Sequence, residues 1–584
     1  MSISRNRSRS LLALVVLGTL TVGTACSTSS KKGGSAAPAA QAVAKQSVAI
    51  GTAADSTGPD PAVPGAKSGG TVTVLQVSDF SHLDPARVWS STNQTADLLL
   101  TRQLTSYQQV GSTTKLVGDL ATDTGSSPDG KTWTYHLKAG LKYEDGSPIT
   151  AQDLKYGIER TFQKELSGGP QYLQMWLTGK DDYSSVYSGP WGGQDLSSIQ
   201  TPDAQTIVFH LASVHEDFPF ALAMQSYSPV PKDKDTKAAF DQHPFSSGPY
   251  KIVSHDVDKG MVLARNTYWD ATTDPVRHAY PDQWQFEFGA QEVDINQRLM
   301  AANGPDRTAM TFKVSIGADL ASQVNSDPSL KARLVNQVTP FSEFFNINTR
   351  RITDVKVRQA LLEAFPRQQV RQLFGGPIYG DYTNTILSPV TNGYQDYNLY
   401  NAPATGDPDK AKALLAQSSN PHPTIVFAYS EDPTWQQAAV AVSQALDKAG
   451  FNVVTKAISA KNYYDETQKV DNQFDVYWGG WGPDWPSASS VIPPLFDGRQ
   501  ITDGGGNNSL FDDTGVDTEI DRIQGLTDLG RQNTAWGALD QKIMQSVPVI
   551  PWVDVRQVSL YGPGLGGVHT GFIGTCYPLD VYVK

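Results

Sequence analysis

The stretch from Leu116 to Phe162 constrains the fold more than any other part of the chain, because its apolar periodicity switches from that of a strand to that of a helix. Trp133-Thr134-Tyr135-His136-Leu137 alternates large apolar and polar residues, as a half-buried strand does. Asp145-Gly146-Ser147-Pro148 then turns the chain, and Thr150 stands where a helix N-cap belongs. From Ala151 to about Phe162, the spacing of Leu154, Ile158 and Phe162 predicts a helix with one apolar face. The same texture appears elsewhere. Thr71 to Leu75 reads as a strand entered through Gly69-Gly70. Trp435 to Ala449 carries Ala438, Val442, Ala445 and Ala449 on one helical face, stops at Gly450 and leads into the strand-like Phe451-Asn452-Val453-Val454. Strands and helices alternate without a fixed internal repeat, so the fold class is mixed α/β. At roughly 150 residues per domain, 584 residues correspond to three or four domains.

Composition removes several function classes. Aromatic residues make up 10% and charged residues 18%, which is the profile of a globular protein rather than a disordered one. The formal charge of -12 argues against a generic nucleic-acid binder, which needs net positive charge. Only Cys26 and Cys576 occur, and the nine histidines form no His-x-His or His-Glu-x-x-His pairing, so neither a metal site nor a cofactor is expected. Gly125 to Thr132, GSSPDGKT, matches the phosphate-binding loop pattern letter for letter. That chemistry requires a helix after the loop, whereas strand sequence follows Thr132, and Pro128 removes one amide, so a turn is the better reading. An exported hydrolase is also disfavoured. Neighbouring acids such as Glu144-Asp145 and Asp512-Asp513 point to opposite faces on a strand or into solvent in a turn, and no Gly-x-Ser-x-Gly elbow occurs.

The N-terminus carries Arg5, Arg7 and Arg9, an apolar run from Leu11 to about Val22, and small residues ending at Cys26. This is the layout of a secretory signal, with an apolar run shorter than the ~20 residues of a membrane span. Small residues running into a cysteine resemble a bacterial lipobox, with Gly23 where that pattern prefers Leu. The resemblance implies that residues 1–25 are a lipoprotein signal peptide and that Cys26 is the lipidated first residue of the mature chain. Residues 26–68 have no aromatic residue and are rich in Gly, Ser, Ala and Pro, so they are expected to form a flexible tether with a reach of roughly 35–40 Å. Cys576 is expected to be a lone buried thiol.

The Leu116–Phe162 segment also resembles the signature of the family 5 extracellular solute-binding proteins of ABC importers, the peptide- and oligopeptide-binding class. The matching residues are Ser127, Asp129, Gly130, Tyr135, Leu137, Gly140, Lys142, Tyr143, Asp145, Gly146, Pro148, Ala151, Asp153 and Arg160. Further similar stretches follow in order: Gly248-Pro249-Tyr250 with Arg265-Asn266, Phe345-Asn346 with Val357-Arg358, the helix-like Asp409 to Leu415, and Phe474 to Asp484 with its Gly-Trp-x-x-Asp loop.

The resemblance implies a two-lobed fold of the type II periplasmic-binding-protein kind, with a hinge between the lobes and an extra inserted domain. Lobe I would be discontinuous (69–113, 240–340 and 556–584), the inserted domain would span 114–239, and lobe III 341–555. The ligand would be a peptide, with an oligosaccharide or other small solute as the alternative, and lobe closure over it would be what a permease recognises. Asp484 would pair with the peptide α-ammonium. Gly479, Gly480 and Gly482 would let a ligand backbone approach, and Trp478, Trp481 and Trp485 would form apolar walls. From the first lobe, Trp89, Ser90, Ser91 and Thr92 would present a ligand-facing strand edge. The implied partners are the permease subunits of an ABC importer, with their ATPases on the cytoplasmic side, and the membrane itself through the lipid. The protein would act as a monomer on the outer face of the bacterial cytoplasmic membrane, with no catalysis.

Overall fold

The structure, a computed structural model, describes residues 48–584 apart from 111 and 112. Two large sheets organise the two lobes. The first is five-stranded, in the order Ala309–Met310, Thr71–Leu75, Gln283–Glu287, Gly260–Arg265 and Tyr250–Asp256. The second is six-stranded: Gly380–Tyr382, Val549–Leu560, Leu334–Ile347, Val476–Trp481, Thr424–Ser430 and Asn452–Ile458. Smaller three-stranded sheets are formed by Thr132–His136 with Thr206–His210 and Ile199–Gln200, and by Val48–Ile50, Thr113–Gly118 and Thr105–Val110.

The two large sheets have separate cores, and the two three-stranded sheets share a third. Val72, Val74, Leu263, Trp284 and Phe286 pack together in the first lobe, Phe345, Phe427, Val476 and Trp552 in the second, and Tyr135, Leu154, Ile158, Phe209 and Phe218 between them in sequence. The long antiparallel strands Leu334–Ile347 and Val549–Leu560 are paired along most of their length, with register shifts between Val338 and Ser342 and between Glu343 and Phe344. Bulges of this kind interrupt the ladder and let a strand pair bend.

The signature segment forms the elements its periodicity predicts, and its polar residues hold local structure. The Asp129 carboxylate accepts from the Lys131 and Thr132 amides at 2.9 and 2.7 Å, so the sequence resembling a phosphate loop is a turn leading into a strand. Thr150 and Asp153 cap the helix Ala151–Arg160 reciprocally. At the end of that helix the Arg160 guanidinium, fully buried, donates to both Asp84 oxygens at 2.8 Å and to Asp235 at 3.1 Å. A second buried set joins Arg102 and Arg277 to Asp119, with Asp274 alongside. The helix expected at Trp435–Ala449 runs from Pro433 to Lys448, and Cys576 is buried, its thiol pushed up to about 12 by burial.

Two expectations concern the N-terminal region. Cys26, the apolar run and residues up to 47 lie outside the described residues; among the described residues no helix is long and apolar enough to cross a membrane. The tether expected over 26–68 is corrected in its described part, because residues 48–68 are docked on the body. Val48–Ile50 pairs in parallel with Thr114–Leu116, the Gly51 amide donates to the Leu116 carbonyl at 2.7 Å, and the Ser56 hydroxyl accepts from the Gly118 amide at 2.8 Å. Asp60 accepts from Gln108 at 3.0 Å and lies 3.6 Å from His278, which also meets Asp580 at 3.2 Å. Composition registers apolar area, whereas this segment is held mainly by backbone pairing and polar side chains, with Val48 its contribution to the core.

Removing one partner of a fully buried ion pair leaves the other charge uncompensated. Arg160→Ala is therefore expected to lower the unfolding free energy of the protein by about 3–5 kcal/mol, measured by urea denaturation; a loss within the range of an ordinary surface substitution would show that the Asp84 and Asp235 carboxylates relax without it.

Candidate functional site

The strand Val476–Trp481 pairs on one side with Leu334–Ile347 along its whole length, Trp478 opposite Phe345, Gly480 opposite Glu343 and Trp481 opposite Ser342. On its other side only Phe427 and Ala428 pair with it, opposite Val476 and Tyr477. Trp478 to Trp481 therefore have an unpaired edge among the described residues, with the Trp478 carbonyl met by the Tyr463 hydroxyl at 3.0 Å. Gly480 is the exposed residue of this strand. The loop beyond it is fixed by Ser490, whose hydroxyl donates to the Trp485 and Ser487 carbonyls at 2.8 and 2.9 Å while its own carbonyl accepts from the Trp481 indole at 2.9 Å.

A cavity of about 1110 Å³ opens at this loop. Trp481, Gly482, Asp484 and Trp485 line it from the second lobe, Arg87, Trp89 and Ser90 from the first, and Tyr172, Trp176, His215 and Asp217 from the segment between. Asp484 lies where these elements meet. Its Oδ1 accepts from the Trp89 indole at 2.7 Å and its Oδ2 from the Tyr172 hydroxyl at 2.5 Å. Both donors are neutral and no salt bridge reaches it among the described residues, so burial pushes its carboxyl up to about 6. Trp485, 1% exposed, packs against Tyr172 and Trp176 with ring centroids 4.7 and 5.8 Å apart, and its indole donates to Ser489 at 3.0 Å. Ser489 in turn donates to Asp217 at 2.6 Å. Burial holds His215, stacked on Trp176 at 4.0 Å, down at about 3, so this ring is neutral at physiological pH.

The residues singled out from sequence thus fall into three places. Asp484, Trp481, Gly482, Trp485, Trp89 and Ser90 meet at the cavity. Trp478 and Gly480 face Glu343 on the other side of the strand, where the Trp478 indole donates to the Glu343 carboxylate at 3.1 Å. Gly479 and Gly482 admit the protein's own side chains: a Cβ would stand 2.4 Å from the Asn346 amide at Gly479 and 2.2 Å from the Phe341 ring at Gly482. The strand edge expected over Trp89–Thr92 is corrected, since Ser90 caps the helix Ser91–Leu100 and places Ser91 and Thr92 in its first turn. The apolar residues of that helix lie in its second half, which leaves its start looking extended. Tyr172, Trp176 and Asp217 were not anticipated, and their sequence context, Gln171 to Trp176 and His215 to Phe218, carries no motif.

A cavity walled by two lobes whose side chains meet across it is the architecture of a ligand-enclosing binding protein. The profile described as bacterial extracellular solute-binding proteins, family 5 Middle, matches residues 115–503, and the chain belongs to this family. The protein is accordingly extracytoplasmic, two-lobed and a binding protein rather than an enzyme. Among its relatives, the periplasmic oligopeptide-binding protein OppA of Salmonella typhimurium (strain LT2) is 25% identical over 487 residues, covering 78% of this chain and 82% of that protein. The dipeptide-binding protein DppE of Bacillus subtilis (strain 168) is 22% identical over 473 residues, covering 76% and 79%. The solved structure of clavulanic acid biosynthesis oligopeptide binding protein 2 superimposes with a TM-score of 0.81 at 28% identity, over 92% of this chain and 99% of that one.

Trp485 inserts from the second lobe into the aromatic cluster of Tyr172 and Trp176, in the segment between the two lobes' sheets. Trp485→Ala is expected to destabilise this closed arrangement by about 3 kcal/mol, seen in small-angle X-ray scattering as a larger radius of gyration; an unchanged radius would show that the lobes are held together elsewhere.

Proposed function

We propose that the protein is the substrate-binding component of an ABC importer, capturing oligopeptides between its lobes and delivering them to a membrane permease driven by cytoplasmic ATPases. The observation that carries this reading is Asp484, a carboxylate withdrawn from water into the cleft and hydrogen-bonded only by neutral donors. A cation entering that position gains a charge-assisted contact in a region of low dielectric, and a peptide α-ammonium is such a cation. The unpaired edge of Trp478–Trp481 supports pairing with an extended ligand backbone, which is how a receptor binds peptides without reading every side chain. The cavity exceeds the ~300–1,000 Å³ of most small-molecule sites, which favours a ligand of several residues. The names of the relatives, an oligopeptide-binding and a dipeptide-binding protein, point the same way.

Closure follows from contacts that a ligand makes with both lobes at once, which shifts the population toward the form a permease recognises. The protein acts as a monomer, with Cys26 lipidated and held at the outer face of the bacterial cytoplasmic membrane. Asp484 is the anchor, with Trp89 and Trp481 as walls of the site and Gly480 on the ligand path.

Calorimetric titration with a mixed peptide pool is expected to give heat that Asp484→Ala largely removes and that N-acetylation of the peptides abolishes. Binding that survives acetylation would transfer the site to a sugar or another solute. The pH dependence has a definite sign. Burial raises the Asp484 carboxyl to about 6, and an ammonium ligand needs it ionised. Affinity is therefore expected to fall about tenfold per pH unit below about 6, and to fall again once the peptide α-amine, with its ordinary value near 7.7–8.0, loses its proton. A flat profile between pH 5 and 7 would exclude Asp484 as the charged contact. Cys26→Ser is expected to release the protein from the membrane fraction, and its retention there would remove the lipid anchor.

A further inference from the structure

A second carboxylate lies beside the strand Val476–Trp481, outside the lining of the Asp484 cavity. Glu343 lies on the strand Leu334–Ile347 directly opposite Gly480, the exposed residue of its neighbour. Its Oε2 accepts from the Tyr379 hydroxyl at 2.6 Å and from the Trp478 indole at 3.1 Å. Its Oε1 has no hydrogen-bond partner among the described residues, and it is not among the polar atoms sealed from solvent. The side chain is half-buried, and burial among these rings pushes its carboxyl up to about 7, a rise that its two hydrogen bonds and the charge of Lys313 offset only in part.

The surroundings are aromatic and stiff. Trp478 packs on Trp435 with ring centroids 5.3 Å apart, and Tyr379 on Trp552 at the same separation. Tyr464, 49% exposed, stands 6.0 Å from the Trp478 ring at 47°, making an open corner beside the carboxylate. The one cation brought toward it is Lys313 of the first lobe. That ammonium donates to Ser91 at 3.0 Å and lies 5.5 Å over the Phe341 ring, and among the described residues its attraction to Glu343 is not a direct ion pair. A carboxylate with one open oxygen, flanked by a Trp face and an exposed Tyr, is matched by a guanidinium or ammonium, which takes a charge-assisted bond from the oxygen and cation–π contact from the rings.

We propose that Glu343, with Trp478 and Tyr464, forms a second cation subsite across Gly480 from the unpaired edge of Trp478–Trp481, which selects peptides carrying a basic side chain near the N-terminus. This rests on the peptide reading above and adds a side-chain preference to it. The position along the ligand follows from the chain. Gly480, opposite Glu343, precedes Asp484 by four residues, which span at most roughly 14 Å when extended. A peptide whose α-ammonium sits at Asp484 brings the side chain of its second to fourth residue alongside Glu343.

The test is calorimetric titration of the protein with alanine tetrapeptides carrying one arginine at the second, third or fourth position, each beside its citrulline counterpart, which keeps the shape and loses the charge. At one of these positions the arginine peptide is expected to bind about ten- to a hundredfold more tightly than the citrulline peptide. Glu343→Gln is expected to bring that ratio close to one while leaving the affinity for all-alanine tetrapeptide unchanged. Equal affinity for arginine and citrulline at all three positions overturns the subsite and leaves the peptide reading standing, as does a ratio that Glu343→Gln does not alter. No binding by any tetrapeptide overturns both. The comparison of the two peptides on the unaltered protein does not depend on whether the variant folds.

Discussion

Asp484 is a charge-bearing group that folding places in the cleft without a counter-charge. Removing a carboxylate from water is costly unless something compensates, and neutral donors such as the Trp89 indole and the Tyr172 hydroxyl compensate only in part. The loop that presents it is correspondingly rigid. Ser490 ties its two ends, and Trp485 anchors it in the aromatic cluster of Tyr172 and Trp176. The same group that lacks a counter-charge also joins the second lobe to Trp89 of the first.

Buried ion pairs and an interrupted strand ladder mark the rest of the molecule. Within the bodies, Arg160 locks Asp84 and Asp235, and Arg102 and Arg277 surround Asp119, all away from solvent. Such pairs contribute little net stability against apolar replacement, yet breaking them is expensive, so they resist rearrangement. Between the lobes, the strands Leu334–Ile347 and Val549–Leu560 lose register near Val338 and Ser342.

The N-terminal segment adds a contact to this arrangement. The Asn392 side chain accepts from the Val48 amide and donates to the Val48 carbonyl, both at 2.9 Å, as a strand partner would. Val48 is at the same time paired with Thr114 on the other side. A residue early in the chain is thereby joined both to the body near Thr114 and, through Asn392, to the region that carries Asp484. Hydrogen bonds between backbone and one amide side chain achieve this, with the Val48 side chain buried in the core beside Leu104 and Leu116.

The signature between Leu116 and Phe162 was legible because its instructions are local. An Asx turn at Asp129, a capping box at Thr150 and Asp153, and apolar residues at spacing four each act over a few residues, so order along the chain is enough to read them. The Gly-Trp-x-x-Asp loop marked Asp484 for the same reason. The helix at Ser91 was misread because its first turn is polar and its apolar residues come later. Tyr172, Asp217, Asn392 and Glu343 belong to no local pattern. Their roles arise from partners far away along the chain, Tyr172 from Asp484, Asp217 from Ser489, Asn392 from Val48 and Glu343 from Trp478. The sequence by itself determined the α/β class, the family and the loop whose carboxylate lines the cavity, since periodicity, capping and motif spacing are short-range properties. Only the tertiary structure decided which groups surround that carboxylate, how the N-terminal segment docks and where a second unpaired charge lies, because those depend on the distance between surfaces that the chain brings together only when it folds.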